Sequence, residues 1–182
     1  AEARLAPGNA ITDGRALLRY ALPIHNTDIR EIQSEVEAIA DNLRAKRWSP
    51  IRKNIDKALR TLQLRSTRIV DSTPAEHQGE VRDRLDTLKT QLTTLETAIK
   101  AEDKEAVWTE RRNSLMAIGH IEELMVGEFP YAIPAQYDHL PRLLGRATVK
   151  FTTELGELTA VLDGYSAPLT AGNFFEDRKS TR

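Results

Sequence analysis

Between residues 44 and 68, lysine or arginine stands at positions 44, 46, 47, 52, 53, 57, 60, 65 and 68, against a single acid, Asp56. This local charge of +8 is the strongest chemical signal in the chain. Its densest part, Arg44, Lys46, Arg47, Lys53, Lys57 and Arg60, flanks Trp48. Cations around an aromatic can form a docking face for an acidic protein loop or for anionic lipid headgroups. The plainer alternative is that they pair with the acids of the preceding segment, Asp28, Glu31, Glu35, Glu37 and Asp41, and are otherwise solvated, since exposed ion pairs contribute only ~0–1 kcal/mol each. Nucleic acid is excluded as a partner by the whole-chain charge of −1 and by the lack of any known binding module.

Nothing else in the sequence has the spacing of a reactive site. His25, His77, His120 and His139 are scattered, and no two stand at the i, i+4 interval of a helical metal pair. His120, beside Glu122 and Glu123, reads as a helix residue at an interface. Cysteine is absent, so disulfides, thiolate metal sites and cysteine nucleophiles are excluded. No GxSxG, HExxH or phosphate-cradling glycine loop occurs. The sequence therefore names no catalytic residue, no metal ligand and no cofactor. Phe129, Tyr131 and Tyr137 lie among Pro130, Pro134 and Pro141, where exposed rings serve either as a clamp onto the rest of the fold or as a partner surface.

The elements that must carry these residues are mostly helical. Ile29, Ile32, Val36, Ile39 and Leu43 recur at steps of three and four, one apolar stripe on a helix. A second helix opens at WSPIRKNI, where Ser49 has the chemistry of an N-cap and Pro50 that of a first helical residue, with Ile51, Ile55, Ala58, Leu59, Leu62 and Ile69 facing inward. Thr73, Pro74 and Glu76 have the spacing of a capping box ahead of Val81, Leu85, Leu88, Leu92, Leu95 and Ile99, an almost regular heptad stripe. Asp103 caps a fourth helix bearing Val107, Trp108, Leu115, Ile118, Ile121 and Met125. Four such helices on short connections pack as an up-down four-helix bundle that folds without a cofactor.

A short extra helix, TDGRALLRYA, precedes the bundle and is expected to lie across one of its ends through Leu17, Leu18 and Ile24. These elements make up residues 1–127. The proline- and aromatic-rich stretch 128–145 reads as a connector packed on the bundle. From 146 onward, alternating β-branched residues on either side of LGEL read as a β-hairpin. No apolar run approaches the ~20 residues that span a bilayer. The opening AEARLAPG has neither an initiator Met nor an apolar core of a leader, which leaves a removed export signal open.

Two stretches carry a family resemblance. GRALLRYALPIHNTDIREIQ (14–33) and FPYAIPAQYDHLPRLLGRATV (129–149) resemble the large thylakoid-lumen cyclophilins of cyanobacteria and plants. Those proteins place a helical bundle, similar to the PsbQ extrinsic subunit of photosystem II, ahead of a cyclophilin-like β barrel. The resemblance makes the fold mainly α, a bundle followed by a hairpin fragment of that barrel. Thr148–Glu154 and Leu158–Leu162 are similar to its first two strands, and SAPLTAGNF to the start of its first helix, within a β region spanning 146–174. The polar tail FEDRKSTR, 175–182, departs from the family pattern.

The resemblance implies a peptidyl-prolyl cis-trans isomerase family protein of the thylakoid lumen, acting as a folding or assembly factor for photosystem II. Its partners would be photosystem II protein loops or another lumenal protein, with an anionic lipid surface as the further candidate. The bundle would be the partner-binding and regulatory part. Rotation about an X-Pro bond faces a barrier of ~18–20 kcal/mol, and lowering it takes placed donors in a dry pocket. In the family that pocket is built from segments after Phe174, so the chain as given is expected to be inactive. A stand-alone PsbQ-like structural subunit of a photosystem is the alternative, and the hairpin residues discriminate against it. A hairpin cut from a barrel also carries free strand edges, which invite a homodimer by edge pairing.

Overall fold

The computed structural model describes residues 14–180, with side chains through residue 176. Two compact units appear, residues 24–128 and a second unit that, among the described residues, joins 14–23 to 129–180. The first unit is the bundle, made of α2 (Thr27–Arg44), α3 (Trp48–Asp71), α4 (Gln78–Lys100) and α5 (Lys104–Leu124). Each helix packs on two neighbours around a ring, α2 on α3, α3 on α4, α4 on α5 and α5 back on α2. This is the up-down arrangement that short connections enforce.

The core follows the stripes. Ile29, Ile32, Val36, Ile39 and Leu43 of α2 are fully buried, as are Ile51, Ala58 and Ile69 of α3, Leu88, Leu92, Leu95 and Ile99 of α4, and Val107, Ile118 and Ile121 of α5. At about 1.5–3 kcal/mol for each large aliphatic side chain removed from water, this interior supplies the main driving force for the unit. Ile24, Trp48, Leu59 and Trp108 pack against its rim.

Helix ends depart from two expectations. Asp103 does cap α5, accepting a bond from the Ala106 amide at 3.1 Å. Ser49, however, is not the cap of α3: the helix starts at Trp48, and the residue ahead of it, Arg47, makes no side-chain cap bond. The start lies earlier because α2 ends in a tight motif. The Lys46 amide bonds the Leu43 carbonyl, the Arg47 amide bonds the Asn42 carbonyl, and Lys46 adopts φ 52. This is a Schellman closure with a non-glycine residue in the left-handed position. Pro50 still falls among the first helical residues, whose amides have no partner within the helix. Nor does a capping box open α4. The Thr73 hydroxyl turns back to the Ile69 carbonyl at 3.0 Å and closes α3, while a short 3-10 turn, Ala75–His77, leads into α4 at Gln78.

The same closure recurs at the α4–α5 connection. The Glu102 amide bonds the Ile99 carbonyl, the Asp103 amide bonds the Ala98 carbonyl, and Glu102 adopts φ 53. Both helical hairpins therefore turn by one device, Ala45-Lys46-Arg47 in the first and Ala101-Glu102-Asp103 in the second.

In the second unit, β1 (Arg146–Thr153) and β2 (Gly156–Asp163) form an antiparallel hairpin. Gly156 takes φ +127 just after the Glu154-Leu155 connection, a conformation that side chains rarely adopt. The register pairs Ala147 with Leu162, Val149 with Ala160 and Phe151 with Leu158, so these six residues share one face. Helix α6 (Pro168–Ser180) contacts β2, and Phe174 meets Phe151 edge-on at 6.2 Å. The residues read as a polar tail begin as a continuation of this helix, which runs to Ser180.

Helix α1 (Gly14–Tyr20) exists as expected, and it belongs to this second unit. Arg146 of β1 donates to the Leu18 carbonyl, which ties α1 to the hairpin. Leu17 is exposed, whereas Ile24, beyond the helix, does pack on the bundle core. The connector is also a member of the second unit: the Leu143 amide bonds the Pro168 carbonyl at 3.0 Å, and the Gly164 amide bonds the Gly145 carbonyl at 2.8 Å. Sequence periodicity identifies elements, but it contains no term for which apolar face a short helix or connector will choose.

Candidate functional site

The basic residues begin at the corner of the bundle where α2 turns into α3 and continue along α3 through Lys53 and Lys57 to Arg60. Arg44 lies in the last turn of α2, bound to Asp41 at 2.9 Å, and its guanidinium stands 5.8 Å from the ring centre of Trp108. Lys46 occupies the left-handed position of the turn and is exposed, as is Arg47. Glycine would adopt that backbone more readily by about 1 kcal/mol, so a charged residue sits there at some cost. Trp48, the first residue of α3, is half-buried against the core. Lys53 and Arg60 are exposed, seven residues apart and therefore on one face of α3.

The acids of α2 take up part of the basic run. Lys57 is held by Glu31 at 2.9 Å and Glu35 at 2.7 Å, and Asn54 also donates to Glu35 at 2.6 Å. The hydrogen bond from Lys57 holds the Glu31 carboxyl below its usual range, and the bonds to Glu35 and Glu31 raise the Lys57 ammonium above its own. Arg68 reaches Asp28 at 3.3 Å, and Arg52 reaches Glu102 of the neighbouring turn at 2.5 Å. Charge pairing between helices thus accounts for Lys57, Arg68 and Arg52. Lys46, Arg47, Lys53 and Arg60 make no ion pair among the described residues.

Several contacts that stiffen this corner leave no spacing signal. Arg111 of α5 donates to the Val36 carbonyl at 3.0 Å and the Glu37 carbonyl at 3.1 Å, and it stacks 5.8 Å from Trp108. Trp108 is thereby flanked by the guanidiniums of Arg44 and Arg111. At the other end of the bundle, Arg30 meets the fully buried Glu122 at 3.0 Å and Gln33 at 2.8 Å. There Asn26 caps α2 by accepting from the Ile29 amide at 2.9 Å, and it donates to Ser72 at 2.7 Å. Only Asn26 could have been found in advance, as a capping residue type immediately before the first apolar stripe.

The connector aromatics belong to the second unit. Phe129 meets Tyr131 edge-on at 5.5 Å and stacks on Tyr165 at 6.2 Å, while Arg146 stands 5.8 Å from the Tyr165 ring. Tyr131 and Tyr137 remain exposed. No cluster of potential metal ligands occurs among the described residues, and no helix there is long and apolar enough to cross a membrane.

Comparison with known proteins agrees with this architecture. A family model described as peptidyl-prolyl cis-trans isomerase CYP38-like, PsbQ-like domain, matches residues 13–126. A Synechocystis protein named as a thylakoid lumen peptidyl-prolyl cis-trans isomerase is 50% identical over 172 residues, 94% of this chain and 45% of its own length. The chloroplastic peptidyl-prolyl cis-trans isomerase CYP38 of Arabidopsis thaliana is 35% identical over 94% of this chain and 42% of its own. The chloroplastic CYP37 of the same plant is 32% identical, over 88% and 39%. The chain spans less than half the length of these relatives. It is a thylakoid-lumen member of the CYP38-like peptidyl-prolyl cis-trans isomerase family and carries that family's PsbQ-like domain.

Proposed function

We propose that the protein is a folding and assembly factor for photosystem II and that the bundle within this chain is its partner-binding and regulatory module. The observation that carries this reading is the bundle's self-sufficiency. Its interior is closed by its own aliphatic side chains, and its ion pairs leave Lys46, Arg47, Lys53 and Arg60 exposed and without an ion pair among the described residues. Such a unit interacts through its surface. The alternative of a stand-alone structural subunit is disfavoured by residues 146–176, which form a hairpin and a helix that such a subunit has no reason to carry.

Isomerase chemistry, on this reading, is supplied by segments beyond the hairpin, because two strands and one helix do not enclose a twisted imide among placed donors. A proline-isomerisation assay on this chain is expected to give the uncatalysed rate. In a cyanobacterial host, removing residues 24–128 from the whole protein is expected to lower the accumulation of assembled photosystem II as much as removing the whole gene. Full assembly in that strain would overturn the proposal.

A further inference from the structure

Resting on the reading of the bundle as a recognition module, we infer that its α2–α3 corner binds an extended acidic segment of a partner protein, about six residues long. Lys46, Arg47, Lys53 and Arg60 are exposed and lack an ion-pair partner among the described residues, whereas the cations beside them are held by carboxylates. From Trp48, just past Lys46 and Arg47, to Arg60 the α3 axis rises about 18 Å, at ~1.5 Å per residue. An extended chain covers that distance in about six residues at ~3.3 Å each.

The surroundings select a narrow ligand over a flat one. The α4–α5 turn shares this end of the bundle, as the Arg52–Glu102 ion pair shows, and it presents Glu102, Asp103 and Glu105 against a single cation, Lys104. Asp56 stands on α3 between Lys53 and Arg60. An anionic membrane laid on this end would meet these carboxylates together with the cations. A single acidic strand can follow the cations and avoid them, which is the electrostatic complementarity that confers specificity.

The molecule itself supplies the test variant. The second turn, Ala101-Glu102-Asp103, has the same backbone as Ala45-Lys46-Arg47, so Lys46→Glu with Arg47→Asp reverses the charge of the corner on a turn already compatible with those residues. The probe is fluorescein-labelled hexaglutamate, followed by anisotropy against the intact chain, with phosphatidylglycerol-containing vesicles as the competing surface. Wild type is expected to bind the peptide in a salt-dependent manner, and the double variant to weaken it by on the order of tenfold or more. Arg82→Glu with Lys89→Asp, an equal charge change on exposed positions of α4, should weaken it by less than about threefold, through long-range charge alone. Lys53→Gln with Arg60→Gln, exposed helix positions, provides a second loss-of-binding pair should the turn variant fail to fold.

Equal loss in the corner and control variants, no binding by wild type, or preference for the vesicles over the peptide would each overturn the inference. Residue-mapped cross-linking of the intact chain in lumenal extract separates it from the reading beneath it. A partner cross-linked elsewhere on the bundle overturns the corner and leaves the recognition module standing. No cross-linked partner overturns both.

Discussion

Residue by residue, charge alone does not identify an interaction surface; the pairing of each charge does. Arg44 to Arg68 looks uniform in the sequence, yet Lys57 bridges two glutamates while Lys53, one turn earlier, faces water. The distinction was invisible beforehand because it depends on the rotation of α3 against α2, which apolar periodicity gives only to within a residue. The Lys57–Glu31 contact also has a pH signature. The Glu31 carboxyl titrates below its ordinary 4.5 in the folded chain, so its stabilising contribution is complete above that value and is lost as the pH falls through the lowered one. The Lys57 ammonium is raised above its ordinary 10.5, so its contribution is complete below 10.5 and is lost as the pH rises through the raised value. Lys57→Met should make the fall in stability as the pH drops below 4.5 shallower than in wild type. Denaturant midpoints by circular dichroism across that range would check this, and an unchanged slope would refute it.

Among the elements, the inward faces were the most legible feature and the ends the least. Every aliphatic stripe of the four long helices was readable, because burial in a bundle imposes a period that few other constraints disturb. Of the three predicted caps only Asp103 holds, because a cap depends on where the preceding chain stops turning. At Ser49 that was decided by the Schellman closure at Lys46, and at Thr73 by a hydroxyl that bonds backward. The consequence is testable by contrast. Asp103→Ala should cost about 0.5–2 kcal/mol, the range for loss of an N-cap acceptor. Ser49→Ala should stay within about 0.5 kcal/mol, as for an exposed position without a cap bond. Thermal denaturation of the two variants side by side decides it, and equal losses would contradict the helix start described for α3.

For the molecule as a whole, the family was readable from two quoted stretches and the element order from the apolar stripes and the hairpin pattern, while the partition was not. The connector joined the hairpin through backbone–backbone bonds and α1 through a guanidinium bonded to a backbone carbonyl, contacts that apolar periodicity does not announce. Gly164 shows how close that packing is: a β-carbon at this position would fall on the carbonyl oxygens of Leu143 and Gly145. Gly164→Ala should therefore loosen the second unit and leave the bundle intact, seen as faster proteolysis after residue 129 with no change in helical melting. Loss of both together would mean that the two units fold as one. The flanking of Trp108 by two guanidiniums has a further, optical consequence. One neighbour, Arg111, is anchored to helix carbonyls, and the other, Arg44, stands at the edge of the basic corner. An indole's emission responds to a cation over its face. With only two tryptophans in the chain, removing Trp48 leaves Trp108 as a native fluorophore whose colour and yield follow the position of Arg44, so occupancy of the corner becomes readable without any label.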